Sequence, residues 1–368
     1  MELYLLDEHA QRIAVIPEYE SLSWRTGLLS TIADLKAPVR CFEDLVQARY
    51  LERSDSNTIL FIDKKRVVGD GADRGSYLSA YDPVELLKRR ILIRTHDMRA
   101  SRLEMIRRLI EAGTRPAPEL PGQDRSIPLM AGLGPIAGVG NGPPPPLLSE
   151  IVEQQMSWDT VYERIESILE GYPLRFFSQL STEGQGKSIV PLLYEGKDLS
   201  REVIVSTVHG DLSDVEYSFE SADRANTAIV AGQGDNRSRL VTSARINLDV
   251  AYGELFVDAD NIGADDGTEG GAALTPAQQR ARLQARGREY LHEQPCEHAL
   301  TGSISQERFQ YGIDYQVGDR IGFEAFGVRH DDIVSEVEEV FEGQRSRTNI
   351  TIGQTYPTIR KIIERSTS

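Results

Sequence analysis

The sequence predicts an α+β fold in which strands dominate. Three observations lead there. Strand-like apolar runs open and close the chain, amphipathic helices occupy short intervals between them, and long polar or Pro/Gly-rich connections separate the blocks. The expected layout is a strand-rich region over 1–95, a helical insertion over 96–171, a second strand-rich region over 172–260, and a helix followed by further strands over 261–368.

Each element follows from local chemistry. Residues 1–7 and 11–16 alternate around Asp7-Glu8-His9, a hairpin signal. Residues 58–62 form a short apolar run, 69–75 a Gly/Asp loop and 77–81 another strand. Asp82-Pro83-Val84-Glu85 starts a helix: Asp caps free amides, Pro suits the first helical position and Glu sits at the third. Residues 101–112 are helical because Leu103, Ile106, Leu109 and Ile110 share a face, and Gly113 is the stop. Residues 114–146 carry Pro116, Pro118, Pro121, Pro128 and Pro135 among glycines, and 143–146 are all proline. That composition reads as a flexible, partly polyproline-II excursion, either a linker or a long surface loop. Ser157-Trp158-Asp159 begins a second helix through Val161, Ile165, Ile168 and Leu169, closed by Gly171. Residues 175–180 and 189–194 are strands around a Gly-rich turn; 217–220, 228–231 and 238–249 follow. Residues 261–271 form a polar loop, and Thr275-Pro276 caps a helix to Leu291. From Leu300 onward the chain is β again, with strands at 320–323, 333–341 and 349–352.

Composition removes several function classes. Lys plus Arg is 41 and Asp plus Glu 57, a net charge of -16, with 40% apolar residues over 368 positions. No run approaches the roughly 20 apolar residues of a membrane-crossing helix. The acidic balance opposes wrapping of nucleic acid, whose phosphates call for a basic surface. Cys41 and Cys296 cannot make a disulfide framework. The start Met1-Glu2-Leu3-Tyr4 carries no leader pattern, so synthesis in a cytoplasm is expected.

The search for chemistry yields weak candidates. Gly184-Gln185-Gly186-Lys187-Ser188 looks like the end of a phosphate loop, but Ser181 stands where the first glycine belongs, and strand signals flank the segment; a hairpin turn is expected. Asp258, Asp260, Asn261, Gly263, Asp266 and Glu269 partly fit a calcium loop, yet Ile262 supplies no oxygen and a strand precedes it. His292, Cys296 and His298 lie close together, but Pro295 interrupts and no second ligand cluster exists for zinc. Lys88-Arg89-Arg90 with Arg94 reads as a salt-bridged face. Glu163 and Glu166, or Glu336, Glu338 and Glu339, are what an acidic chain supplies anyway. No Gly-x-Ser-x-Gly elbow or Cys/His signature occurs. No catalytic, cofactor-binding or metal residue is therefore assigned, no cofactor is expected, and an assembly role is expected over an enzyme.

A resemblance gives this a direction. It is carried by Glu2-Leu3-Tyr4-Leu5-Leu6-Asp7 through Val15-Ile16, Tyr19-Glu20-Ser21-Leu22-Ser23-Trp24, and residues 81–92 with a short helix ending in a basic pair. It continues in Tyr194-Glu195-Gly196-Lys197-Asp198-Leu199-Ser200, Val203-Ile204-Val205-Ser206, residues 211–220, Arg224-Ala225-Asn226 and Val230-Ala231-Gly232-Gln233-Gly234. It closes with Leu274-Thr275-Pro276, the helix at 281–291, and residues 311–319. In order and spacing these segments resemble a family of long-tailed bacteriophage (siphophage) tail proteins, the baseplate hub or tail-associated proteins. Residues 114–146 and the surroundings of Lys187 depart from the family pattern.

The resemblance implies two tube-like β-barrel hub domains with inserted helical and α+β elements, similar to the contractile-phage baseplate hub. The first barrel would include 1–95 and the second would lie within 261–368. It implies a structural homotrimer at the tail tip of the virion. The partners would be the distal tail protein, the tape-measure protein and other tail-tip or receptor-binding proteins, with phage DNA passing transiently through a channel. A tail-tip cell-wall hydrolase is the alternative. The acidic balance would keep such a channel from holding DNA. Residues 311–315 and 320–323 are expected to pair across Gly318-Asp319 as barrel surface.

Overall fold

The computed structural model describes residues 1–353 except 39–41, 71–73, 94, 118, 139–142, 170–171, 183–185, 221–224, 235–238, 247–252, 261, 264–273, 294–296 and 344. Met1–Glu216 with Leu300–Gly353 form one compact unit, and Tyr217–Ala299 form the described part of a second.

The elements run in this order. First come β1 (Leu3–Leu6), β2 (Arg12–Ile16), β3 (Ser21–Gly27), β4 (Thr31–Ala37), α1 (Phe42–Gln47), β5 (Tyr50–Arg53), β6 (Ile59–Val68) and β7 (Gly75–Tyr81). A 3-10 helix (Pro83–Arg89) leads to β8 (Thr95–Ser101), α2 (Arg102–Thr114), α3 (Pro146–Ser149), β9 (Ile151–Ser157) and α4 (Val161–Leu169). Then follow β10 (Leu174–Ser181), β11 (Ser188–Glu195), β12 (Ile204–Ser206), β13 (Leu212–Glu220), β14 (Thr227–Ala231), β15 (Val241–Arg245), β16 (Glu254–Asp258) and α5 (Pro276–Glu293). The chain returns through β17 (Glu297–Ile304), β18 (Arg320–Ala325), β19 (Val328–Glu342) and β20 (Arg345–Gly353).

One large sheet organises the first unit, in the order β13-β17-β20-β19-β3-β4-β7-β6-β5-β1-β2, with β18 branching from β19 and β12 from β18. Among the described residues this path does not close on itself. Alternation dictates its faces, because successive side chains of a strand point to opposite sides. Leu22 and Trp24 of β3, Leu35 of β4 and Leu78 of β7 build one core. Val205, Leu212, Leu300, Ile321, Phe323 and Ile350 build a second. The long β19 serves both, giving Val334 and Val337 to the second core and Phe341 to the edge of the first. Its pairing with β3, Glu336 opposite Gly27 through Glu342 opposite Ser21, joins sheet segments more than 300 positions apart in sequence.

A helical layer completes the unit. Met105, Ile106, Leu109 and Ile110 of α2 pack with Val161, Ile165 and Ile168 of α4 and with Val84 and Leu87 of the 3-10 helix. Several local expectations hold. The β1–β2 hairpin forms, and the Asp7 carboxylate accepts the amides of His9 (2.9 Å) and Gln11 (2.8 Å). The helix expected at 101–112 forms as α2, with Ser101 as its cap; β10 pairs β11 as a hairpin, and β16 is the strand expected before the acidic loop.

Others are corrected. The helix after Asp82 is 3-10. Gly113 does not stop α2, which ends at Thr114. It is a contact glycine: a Cβ there would lie 2.6 Å from Val161 Cγ2. α4 starts at Val161, later than the expected Ser157-Trp158-Asp159, and Thr160 caps it: Thr160 and Glu163 exchange side-chain and backbone bonds in a capping box. The Pro/Gly excursion is docked. Ala131, Gly134 and Ala137 donate to the carbonyls of Ile189, Pro191 and Leu193 at 2.8–2.9 Å. That places the segment along the open edge of β11, an edge Pro191 cannot serve as a donor. Residues 311–315 form a turn closed by a Tyr311–Tyr315 bridge, and residues 320–323 pair instead with β19 and β12.

The second unit is an α/β layer. Its sheet runs β15-β14-β16, antiparallel on one side and parallel on the other. α5 starts on the expected cap, with Thr275 and Gln278 bonding reciprocally. It packs close because Gly287 faces Ala228, Val230 and Ala244, where a Cβ would approach within 2.6 Å.

Candidate functional surface

Six neighbouring strands of the first unit, β20-β19-β3-β4-β7-β6, share a face opposite the cores. The register gives its composition. One row across it reads Arg347, Val340, Ser23, Asp34, Ser79, Lys64; the next reads Arg345, Glu342, Ser21, Lys36, Tyr77, Arg66. It is a broad polar face backed by two apolar cores.

Its charges are cross-linked. The Glu338 carboxylate accepts from Ser23 Oγ (2.8 Å), Asn349 Nδ2 (3.0 Å) and Arg25 (3.3 Å). Burial acts to raise its pKa, but these bonds outweigh it and hold the carboxyl below the usual range. Glu336 is pushed upward by burial, with Arg25 3.6 Å away. Ser79 donates to Asp34 (2.6 Å), and Lys36 pairs with Glu20 (2.6 Å). On the core side of the same seam, Arg53 lies 4.9 Å over the Trp24 ring and bonds Asp55 and Glu339. The three acids at 336, 338 and 339 thus fasten β19 to its neighbours from both faces.

Buried carboxylates fix the connections around the sheet. Asp319 accepts from Tyr194 Oη and from the amides of Lys197 (2.8 Å) and Gln316 (2.8 Å). It sits where Gly196 meets Gly318, so close that a Cβ on Gly196 would fall 1.7 Å from the Gly318 carbonyl oxygen. Two segments that carried the resemblance, 194–200 and 311–319, therefore meet at one clasp. Asp82 accepts from Val84 N (3.1 Å), Ser178 N (3.1 Å) and Ser178 Oγ (2.7 Å), tying the 3-10 helix to β10. Full burial pushes its carboxyl up to about 6. Asp211 accepts from the Ser206 amide and from Arg308 (2.9 Å).

The weak sequence candidates are placed as follows. Lys187 donates to the Ala10 carbonyl (2.6 Å) and steadies the β1–β2 turn. Asp258 and Asp260 both pair with Arg239; Gly263 packs against Gln233, while Asn261, Asp266 and Glu269 lie outside the described residues. Cys296 lies outside them too; His292 falls in α5 and His298 in β17. Lys88 pairs with Glu85 (2.7 Å), Arg89 with Asp63 (3.1 Å), and Arg90 bonds the Arg125 carbonyl (2.9 Å); Arg94 is outside the described residues. Among the described residues no His, Cys, Asp and Glu cluster suits a metal ion, and no helix is long and apolar enough to cross a membrane. Asp319 and Asp82 escaped notice as buried staples. The available signal was a polar residue inside an otherwise apolar or turn segment.

The architecture has relatives among solved structures. A tail protein from Neisseria meningitidis MC58 superposes with a TM-score of 0.56 at 10% identity, over 96% of this chain and 95% of that one. The 43 kDa tail protein of prophage MuSo2 from Shewanella oneidensis gives 0.53 at 9% identity, over 96% and 98%. Prophage tail protein gp18 from Listeria monocytogenes EGD-e gives 0.52 at 10% identity, over 100% and 98%. At these identities the likeness is one of fold. No curated protein sequence matches the chain. The profile of the siphovirus ReqiPepy6 Gp37-like proteins matches residues 113–354, two thirds of the sequence. A strand-rich chain with the fold of phage tail proteins and that profile over most of its length belongs to the siphovirus ReqiPepy6 Gp37-like family.

Proposed function

We propose that this protein is the baseplate hub of a phage tail tip. In this reading three copies form a ring that joins a six-fold tail tube and its distal tail protein to three-fold tip components. Residues 1–95 then contribute part of the first barrel, 96–171 the helical insertion, 172–260 a β-rich α+β region whose return strands β12 and β13 add Val205 and Leu212 to the second core, and the strands after α5 the rest of the second barrel. The observation that carries the reading is the sheet itself. One chain presents two apolar cores side by side on one face, joined through β19 and β3, with a continuous polar face opposite. Two barrel-like halves per chain would let three chains offer six similar positions to a six-fold neighbour.

The polar face is the surface that would line a channel ending the tape-measure protein's path and passing DNA. At its centre Arg25, Lys36 and Asp34 are paired within the chain, which lowers the free positive charge a passing phosphate meets there. The role is structural, not enzymatic, and the location is the virion, with receptor-binding or other tip proteins attached. Mass photometry of the purified protein should show a species of three chains, annular in negative stain. A monomer at micromolar concentration would contradict the ring. Clearing of cell wall in a zymogram would favour the tail-tip hydrolase.

A further inference from the structure

We propose that the first unit carries an oppositely charged pair of sheet edges, which join one copy of this chain to the next. The proposal rests on the ring reading above and names the contact that closes the ring.

The two edges are read from the ladder. β6 pairs β5 only through Ile59, Leu60 and Phe61. The register then slips between Ile62 and Lys64, and residues 64–68 continue against β7 alone. Among the described residues no strand takes the side that β5 vacates. At one end of the whole path, β13 pairs only β17 among the described residues. Bare backbone donors and acceptors along a strand are a template for another strand.

Their side chains differ in sign. The β6 edge carries Lys64 and Arg66, both exposed, on the polar face. The β13 edge carries Asp214 and Glu216, both exposed. Among the described residues none of the four has an ion-pair partner in its own chain; Arg66 has only the Tyr77 ring, 5.5 Å away. On this face Glu338, Arg25, Asp34 and Lys36 are satisfied internally, while Arg345 and Arg347 of β20 are exposed mid-sheet; the β6 and β13 edges differ in adding exposed charge to a strand side that no neighbouring strand takes among the described residues. The occupant this selects is a second copy of the chain. β13 ends the path and the outer part of β6 borders the gap that β5 leaves, so they are two different edges of one chain, and β6 of one copy meets β13 of the next. That contact is head-to-tail, and a head-to-tail contact generates a closed ring when its rotation closes. Basic side chains alone would also serve to keep an edge solitary; it is the acidic counterpart on the β13 edge that argues for pairing.

Charge reversal tests this on the full-length protein. The variant K64E/R66E should weaken self-association at least about tenfold, because like charges then face each other. D214K/E216K should do the same. The four-fold variant carrying both reversals should recover the wild-type assembly and refuse to mix with wild-type chains. Circular dichroism melts should match wild type for K64E/R66E and fall slightly for D214K/E216K, because Asp214 holds a left-handed backbone that favours Asp over Lys; each variant is compared below its own melt. A wild-type trimer with both double variants equally trimeric would overturn the edge pairing and leave the ring reading standing. A four-fold variant that is folded but monomeric would also overturn it. A monomeric wild type would remove both.

Discussion

The two units solve the same packing problem differently. In the second, α5 lies on a three-stranded sheet whose strands are near neighbours in sequence, and small residues do the work: Gly287 over Ala228 and Ala244 lets helix and sheet approach. In the first, strands far apart in sequence are brought together, and buried carboxylates fix them: Asp319, Asp82 and Asp211 each accept bonds from another segment. The difference has a physical root. Apolar packing is non-directional and tolerates sliding, whereas a hydrogen bond to a buried acid has one geometry. Long-range joins need the directional kind of contact.

Substitutions can break that contrast in graded steps. The largest effect is expected at the clasp. Gly196→Ala forces a methyl into the Gly318 carbonyl, and its cost should exceed about 4 kcal/mol, seen as insoluble or unfolded protein. Wild-type-like urea unfolding would show that the clasp yields. Asp319→Ala strands the Tyr194 hydroxyl and two amides, for a loss of about 3 kcal/mol. If that loss were below the Gly287 effect, directional contacts would not be the stronger set.

Asp82 gives a pH signature. Its folded carboxyl titrates near 6, above its ordinary 3.8, so the folded state holds the proton more tightly than the unfolded chain. Its contribution is therefore greatest below about pH 4 and falls as pH rises towards 6, by on the order of 3 kcal/mol. Asp82→Asn should flatten that part of the stability profile; an unchanged slope would place its origin elsewhere. In the second unit, Gly287→Ala should cost about 1–3 kcal/mol by overpacking, partly offset by the better helix propensity of alanine. The smallest change is Lys187→Ala, about 1 kcal/mol or less for one bond to the Ala10 carbonyl. It should speed proteolysis of the β1–β2 turn before it alters global unfolding.

Much of the local structure was legible because its causes are local. The Asp7 turn, the Asp82 and Thr275 caps and the β10–β11 hairpin depend on residues within a few positions of each other. Where the controlling partner is distant, pattern reading misled. Gly113 looks like a helix stop until Val161 is placed against it. The Pro/Gly stretch looks flexible until β11 offers it three carbonyls. Residues 311–315 alternate like a strand, but no partner strand reaches them. The candidate surface was hidden for the same reason. Glu336, Glu338 and Glu339 are unremarkable in an acidic sequence and become distinctive only when β3 brings Arg25 and β5 brings Arg53.

The sequence by itself determined the balance of strands and helices, the net charge and the order of segments that resembles the tail-protein family. These follow from residue periodicity, composition and spacing. Only the tertiary structure decided that one long strand serves two cores, and that a polar face runs across six neighbouring strands. It also decided that unlike charges stand on two separate strand edges. Register between distant strands is set by which cores can be buried together, and that is a property of the folded chain, not of any window along it.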